Sequence, residues 1–134
     1  MDPLDDCGLS AAARATLACE VRERVAEAWS RGRALILNAN KPGYSEAFTI
    51  EAEQYRLVRS QILAAVDALA DGKGEVHLKH IVTWVQRELG SHSSFPKGRM
   101  TNYTRYVKTD LEARGEVARV PRASPQRVFL AASL

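Results

Sequence analysis

The chain has 134 residues, of which 46% are apolar and 26% charged, and its formal net charge is +3. This length predicts one domain with a single hydrophobic core, and the composition is that of an ordinary globular protein. No apolar run approaches the roughly 18 residues of a membrane-spanning helix, and the acidic residues 1–6 are unlike a secretory signal. We therefore expect a cytoplasmic protein that makes no contact with a membrane.

The first part of the chain predicts a flexible tail followed by an N-terminal amphipathic helix, together residues 1–31. The tail, residues 1–8, has little apolar surface to bury, whereas residues 11–31 contain no Gly or Pro and follow Ser10, a common helix cap. The apolar residues of this helix recur on one side. That side either packs on its own domain or forms the interface of a homodimer. The candidate interface residues are Leu17, Val21, Val25 and Trp29.

A connecting segment is predicted at residues 32–48. The apolar run at residues 34–37 is compatible with a buried strand or with a last helical turn, because periodicity cannot separate the two at this length. Residues 38–43 are rich in turn formers and predict a surface corner. A second helix is then predicted over residues 50–70, with Thr49 as its N-cap.

The rest of the chain, with that second helix, forms a predicted winged-helix domain over residues 49–134. Each further element is delimited by Gly, Pro or polar turn residues. In order, these elements are a short strand (75–78), a third helix (79–89), a basic fourth helix (99–114) and a ribbon of two strands (116–121 and 126–131). A basic helix that leads into a hairpin is typical of a winged helix-turn-helix.

Positive charge is concentrated at the C-terminal end of the chain. Residues 1–31 carry a net charge of −2 and residues 32–96 are neutral, whereas residues 97–134 carry +5. The outer side of the fourth helix has side chains that can bind base edges or phosphates, and arginines line the ribbon. The candidate nucleic-acid-binding residues are Lys97, Arg99, Thr101, Asn102, Arg105, Tyr106, Lys108, Thr109, Arg119, Arg122 and Arg127.

Side chains that commonly carry metal or nucleophile chemistry are few. Cys7 and Cys19 form no CxxC motif, and we interpret them as free thiols. His77 and His80 lie three residues apart and could be metal ligands, with His92 or Glu75 as a third, but no known metal-site pattern accompanies them. A surface or capping role is the favoured interpretation. We expect no enzymatic activity, no metal and no cofactor.

The order of elements over residues 49–131 resembles the winged helix-turn-helix superfamily. The run LEARGEV at residues 111–117 looks much like the junction of recognition helix and wing in that superfamily. More narrowly, LNANKPG (37–43), FPKG (95–98) and residues 103–115 are similar to a family of small uncharacterised bacterial proteins. The resemblance implies a winged helix-turn-helix, a mainly α fold with a small β-ribbon. The helix predicted within residues 1–31 lies outside the resemblance and makes the expected fold a winged helix-turn-helix with an extra N-terminal helix.

Two functions are consistent with these features. The first is a small bacterial transcription regulator that places the basic helix in the major groove of double-stranded DNA and the wing on the adjacent backbone. The second is a winged helix used for protein–protein interaction or assembly without DNA binding, since a fold does not determine a function. Asp110, Glu112 and Glu116 favour the second, because they dilute the basic charge and Glu112 is expected to face outward.

Overall fold

The computed structural model describes residues 2–44 and 46–131. Met1, Ser45 and the last part of the predicted domain, residues 132–134, lie outside the described residues. The predicted fold class, mainly α with a small β-ribbon, is confirmed. In chain order the elements are α1 (Ala11–Thr16), α2 (Cys19–Ser30), β1 (Arg33–Ile36), β2 (Phe48–Glu51), α3 (Ala52–Leu69), β3 (Val76–His77), α4 (Leu78–Leu89), α5 (Met100–Ala113), β4 (Val117–Arg119) and β5 (Arg127–Leu130).

The prediction of one helix over residues 11–31 is wrong, because the helix is interrupted at Leu17 and Ala18. Both residues have extended backbone, with φ and ψ of −83° and 144° for Leu17 and of −66° and 155° for Ala18. Nη1 of Arg22 donates hydrogen bonds to the carbonyls of Arg14 and Leu17 at 3.0 and 2.9 Å. These bonds satisfy carbonyls that lack partners at the end of α1. The break also turns Leu17 into the interior.

Residues 2–8, predicted as a flexible tail, form a loop that packs on the domain. The carboxylate of Asp2 accepts hydrogen bonds from two backbone N–H groups in the first turn of α1, at 3.3 and 3.1 Å. A negative charge is stabilising at this end of a helix. Ser10 is the N-cap of α1, as predicted, and its hydroxyl accepts a hydrogen bond from the N–H of Ala13.

Most of the predicted connecting segment belongs to an antiparallel hairpin. β1 pairs with β2 so that Arg33 lies opposite Glu51 and Ile36 lies opposite Phe48. Of the two alternatives for the apolar run at residues 34–37, the strand is therefore correct. Most of the run is buried because the hairpin packs against α2, α3 and α5.

The start of α3 differs from the prediction. Thr49, expected to cap this helix, lies inside β2, and the N-cap is Glu51. The side chains of Glu51 and Gln54 form a capping box, in which each accepts a hydrogen bond from the backbone N–H of the other. Pairing with β1 keeps residues 48–51 extended, and the helix begins only at Ala52.

The elements after β2 follow one another in the predicted order. The third strand of the C-terminal sheet is β3, so that β5 lies between β3 and β4 and is antiparallel to both. Helices α3, α4 and α5 pack against one another under this sheet. The largest apolar side chains that are fully buried among these helices are Tyr55, Ile62, Ile81 and Leu111.

A second, smaller hydrophobic cluster joins the N-terminal helices to β1 and α5. Leu17 and Val25, two of the candidate dimer-interface residues, belong to it and are 5% and 1% exposed. These two residues therefore pack within the chain, which was the alternative to a dimer interface. They present almost no surface to a partner. Val21 packs against the same cluster and Trp29 against the main core, and both are half-buried.

One buried guanidinium connects the N-terminal segment to α5. Arg114, the C-cap of α5, is fully buried, and its Nε lies 3.0 Å from Oδ2 of Asp110. Its two terminal nitrogens donate to the carbonyls of Gly8 and Leu35, each at 2.9 Å. A single side chain thus binds the N-terminal loop, β1 and its own helix.

The partner carboxylate is equally buried. Asp110 accepts hydrogen bonds from the hydroxyl of Tyr55 at 2.7 Å and from the N–H of Leu37 at 2.9 Å. Burial raises the pKa of the Asp110 carboxyl, and the charge of Arg114 and these two donors oppose that rise only in part. Burial also raises the pKa of Tyr55 well above its ordinary value, so its hydroxyl remains a donor.

We expect Tyr55→Phe to lower the free energy of unfolding by about 1–3 kcal/mol, because it removes a donor from a buried carboxylate. Urea denaturation measures this change. The matched control is Tyr106→Phe, whose hydroxyl makes no hydrogen bond in the described part of the chain and whose loss should cost under about 0.5 kcal/mol. Equal effects of the two substitutions would contradict this role of the Tyr55 hydroxyl.

Gly115 lies between α5 and β4, with a φ of +78°. A Cβ at this position would lie 2.4 Å from Oγ1 of Thr16. Gly74 has a similar φ of +77° but no heavy atom within 4 Å of the corresponding Cβ position. Gly115→Ala and Gly74→Ala therefore share the backbone strain, and only the first adds a collision.

We expect Gly115→Ala to destabilise the protein by about 1–3 kcal/mol more than Gly74→Ala, as overpacking usually does. The measurement is the free energy of unfolding of both variants in urea. Similar losses would mean that α1 moves aside at no cost, contrary to the close packing of Thr16 on this junction.

Candidate nucleic-acid interface

The long loop before α5 is held by contacts with α3 and α5. Phe95 is buried and its ring lies 5.2 Å from that of Tyr103, edge to face. Nε2 of Gln54, on α3, donates to the carbonyl of Ser94 at 2.7 Å. The loop is longer than in a compact helix-turn-helix, but these contacts attach its C-terminal part to both α3 and α5.

The two sides of α5 differ in burial as predicted, except at Lys108 and Glu112. Met100, Val107 and Leu111 are buried against the main core. On the other side Arg105 and Tyr106 are exposed, Thr101, Asn102 and Thr109 are half-buried, and Lys108 is buried. The outer side of α5 is thus partly open, with Arg105 and Tyr106 as its most accessible side chains.

The three acidic residues of this region each have a basic partner. Ion pairs join Asp110 to Arg114, Glu112 to Lys108 and Glu116 to Arg59. The expectation that Glu112 faces outward is wrong, because its carboxylate lies 2.6 Å from Nζ of Lys108 and its side chain is only 12% exposed. All three carboxylates are therefore neutralised within the fold.

Two of the predicted nucleic-acid contacts need correction. Lys108 is buried, and its ammonium group donates to Glu112 and to Gln126, the residue before β5. Arg127 is half-buried and its Nη1 lies 3.1 Å from Oε1 of Glu75. Their charges connect the hairpin of β4 and β5 to α5 and to the segment before β3.

The other five predicted basic residues remain on the surface. All are exposed, and none forms an ion pair within residues 2–44 and 46–131. They lie in the loop before α5, on α5 and in the hairpin of β4 and β5, and they are Lys97, Arg99, Arg105, Arg119 and Arg122. The net charge of +5 that the sequence places in this region is thus carried by exposed side chains.

One residue beside this surface was not predicted from the sequence. Phe48, at the start of β2, is 42% exposed, and its ring lies 5.0 Å from that of Tyr106, which is 40% exposed. The hairpin therefore brings a second exposed aromatic ring to α5. The signal in the sequence was the alternation of apolar and polar residues over Phe48–Glu51, which is typical of a strand. Because Thr49 was predicted to cap a helix, this strand was not predicted.

The other candidate chemical groups do not assemble into a site. The rings of His77 and His80 lie 5.5 Å apart, but no three His, Cys, Asp or Glu residues cluster as metal ligands in the described part of the chain. Cys7 and Cys19 are both free. Among the described helices, none combines the length and the apolar character needed to cross a membrane.

Comparison with known proteins identifies a family. No curated protein and no solved structure matches the chain. Residues 33–128 match the family of unknown function DUF6958. The match begins at β1 and ends within β5, so that it includes the first hairpin and all of α3, α4, α5 and β4, and it excludes α1 and α2. Because it covers more than half of the chain, the protein belongs to the family of unknown function DUF6958.

Proposed function

We propose that this protein is a winged-helix transcription regulator that binds double-stranded DNA, with α5 in the major groove and the hairpin of β4 and β5 on the adjacent backbone. The observation that carries the proposal is the separation of charge around α5. The local carboxylates are paired within the fold, whereas the basic side chains of five residues point to solvent. Such a surface attracts the phosphate backbone of DNA.

The topology supports the proposal. The order α3, β3, α4, α5, β4, β5 and the strand order β3-β5-β4 are consistent with a winged helix-turn-helix. In this arrangement the third helix of the domain, here α5, enters a major groove that is about 12 Å wide. The partly open outer side of α5 is consistent with such a position.

The side chains on this surface suit the two kinds of DNA contact. Asn102 and Arg105 can make paired hydrogen bonds to adenine and guanine edges respectively. Thr101 and Thr109 can donate to phosphates, as can Arg119 and Arg122 from the wing. We therefore assign sequence recognition to Asn102 and Arg105 in the N-terminal half of α5, and sequence-independent affinity to Thr101, Thr109 and the hairpin of β4 and β5.

The exposed rings of Phe48 and Tyr106 favour a second candidate, a protein–protein contact through the same surface. Aromatic residues are enriched at the centres of protein interfaces.

The test that distinguishes the two candidates is a selection of bound sequences from a random duplex pool. Enrichment of a common sequence supports the regulator, whereas no recovered DNA, together with capture of a partner that Phe48→Ala abolishes, supports the interaction module.

We expect Arg105→Glu to weaken binding to a mixed-sequence duplex by about tenfold or more, because it replaces an attraction to the backbone or a base by a repulsion. Fluorescence anisotropy at low salt measures the affinity. Arg24→Glu is the matched control, since it makes the same charge change at an exposed position of α2 and should alter the Kd by less than about twofold. Equal losses would indicate only a general effect of net charge.

Replacing wing arginines should change the salt dependence of binding. If Arg119 and Arg122 each neutralise a phosphate, removing either by substitution with Ala should reduce the slope of log Kd against log salt by about 1. The measurement is anisotropy over a series of salt concentrations. Arg31→Ala, on the exposed end of the N-terminal region, should leave the slope unchanged. Unchanged slopes for both wing variants would exclude the wing from the complex.

A further inference from the structure

Two exposed aromatic rings form a corner at the edge of the basic surface. The ring of Phe48, on β2, lies 5.0 Å from that of Tyr106, on α5, at an interplanar angle of 81°. Among the described residues, the only other large apolar side chain that is as exposed as these two is Leu69, at the end of α3. The corner is thus an apolar feature that packing within the chain leaves open to solvent.

Both walls of the corner are attached to the main core. Alternate residues of a strand point to the same face, so Phe48 shares a face of β2 with Ile50, which is 6% exposed and belongs to the core. The ring of Tyr106 lies 6.2 Å from that of Tyr103, which packs against the same core. The two rings are therefore held in place before any ligand arrives.

The corner adjoins the side chains to which we assign base recognition. Residues four apart on a helix are neighbours, so Tyr106 lies one turn after Asn102 on the outer side of α5. Asn makes paired hydrogen bonds to adenine, and the thymine opposite that adenine presents its 5-methyl group in the same groove. An A·T pair in contact with Asn102 therefore brings an apolar group close to the corner.

The geometry and the charge of this region favour such a ligand over others. The two rings are nearly perpendicular, so they enclose a small group, whereas a base of single-stranded DNA stacks on an open ring face. Exposed basic side chains, those of Arg99 and Arg105, lie on the same helix or directly before it and favour a polyanion over an apolar segment of a protein. The methyl group of thymine is a common apolar contact of side chains in the major groove.

We propose that Phe48 and Tyr106 bind the 5-methyl group of a thymine, so that the hairpin of β1 and β2 is a third DNA-contacting element beside α5 and the hairpin of β4 and β5. This inference rests on the proposed function, because α5 must lie in the major groove for the corner to reach a base. It adds a preference for an A·T pair at one position. It assigns that preference in part to a residue outside the predicted winged-helix domain.

The test compares thymine with uracil, which pairs in the same way but lacks the 5-methyl group. The probe is the duplex that the selection from the random pool enriches most, prepared with uracil in place of one thymine at a time. We expect uracil at the contacted position to weaken binding by about two- to fivefold, the effect of burying one methyl group less. Fluorescence anisotropy measures the Kd of each duplex. Methylation of cytosine adds the same group to a G·C pair and should leave the Kd unchanged; an effect of cytosine methylation alone would overturn the assignment to thymine.

Two variants locate the contact. With Phe48→Ala or Tyr106→Ala, each of which removes one wall of the corner, the thymine and uracil duplexes should differ in Kd by less than about 1.5-fold. Both variants should bind the uracil duplex as the unsubstituted protein does, which also shows that they are folded. Leu69→Ala is the matched control, because it truncates an equally exposed apolar side chain at the end of α3 that is remote from β2, about 27 Å along an 18-residue helix. It should keep the full preference for thymine.

The outcomes separate this inference from the proposed function. If the selection recovers no DNA, both are overturned. If a sequence is enriched but uracil is tolerated at every position, only the role of the corner is overturned. A preference for thymine that survives both Phe48→Ala and Tyr106→Ala would likewise place the methyl contact elsewhere on the protein.

Discussion

The ion pair between Asp110 and Arg114 is the interaction on which the arrangement of the other elements depends. Removing two such charges from water costs several kcal/mol for each charge. Their mutual attraction offsets this cost only when their other hydrogen-bonding atoms also have partners. The required donors and acceptors come from four parts of the chain: the N-terminal loop, β1, the residue after β1 and α3. Each of these parts is thereby placed against the same turn of α5.

This requirement also shapes the surface. Asp110 and Glu112 each find a basic partner one helical turn away, and Glu116 finds Arg59 on α3. The negative charge of the region is consequently held inside the protein. The overall charge of +3 understates the positive field near α5, because that field depends on where the unpaired charges lie.

Much of the C-terminal fold could be predicted from local sequence patterns. Helical periodicity and glycine stops indicated α3, α4 and α5, and Pro121 and Pro125 delimited the wing. The pairs of Lys108 with Glu112 and of Asp110 with Arg114 were also accessible, since residues four apart on a helix are neighbours. Sequence separation hid the partner of Glu116, because Arg59 lies 57 residues earlier.

The N-terminal errors have specific physical causes. Local propensity favours one helix through Leu17, but the side chain of Arg22 can satisfy the carbonyls that a break exposes. Likewise Thr49 is a good helix cap in isolation, and only pairing with β1 holds it in a strand. In both cases a contact between segments outweighs a local conformational preference. The sequence indicates the local preference correctly but does not indicate the contact.

The hydrogen bonds of the two buried arginines reach beyond the region that the family match covers. Arg114 binds the carbonyl of Gly8 and Arg59 binds that of Asp2, and both acceptors lie before residue 33, where the match begins. A relative that shares only the matched region must satisfy these guanidinium groups with other acceptors, with water, or with different side chains at the two positions. Variation in the first 32 residues across the family should therefore accompany variation at positions 59 and 114.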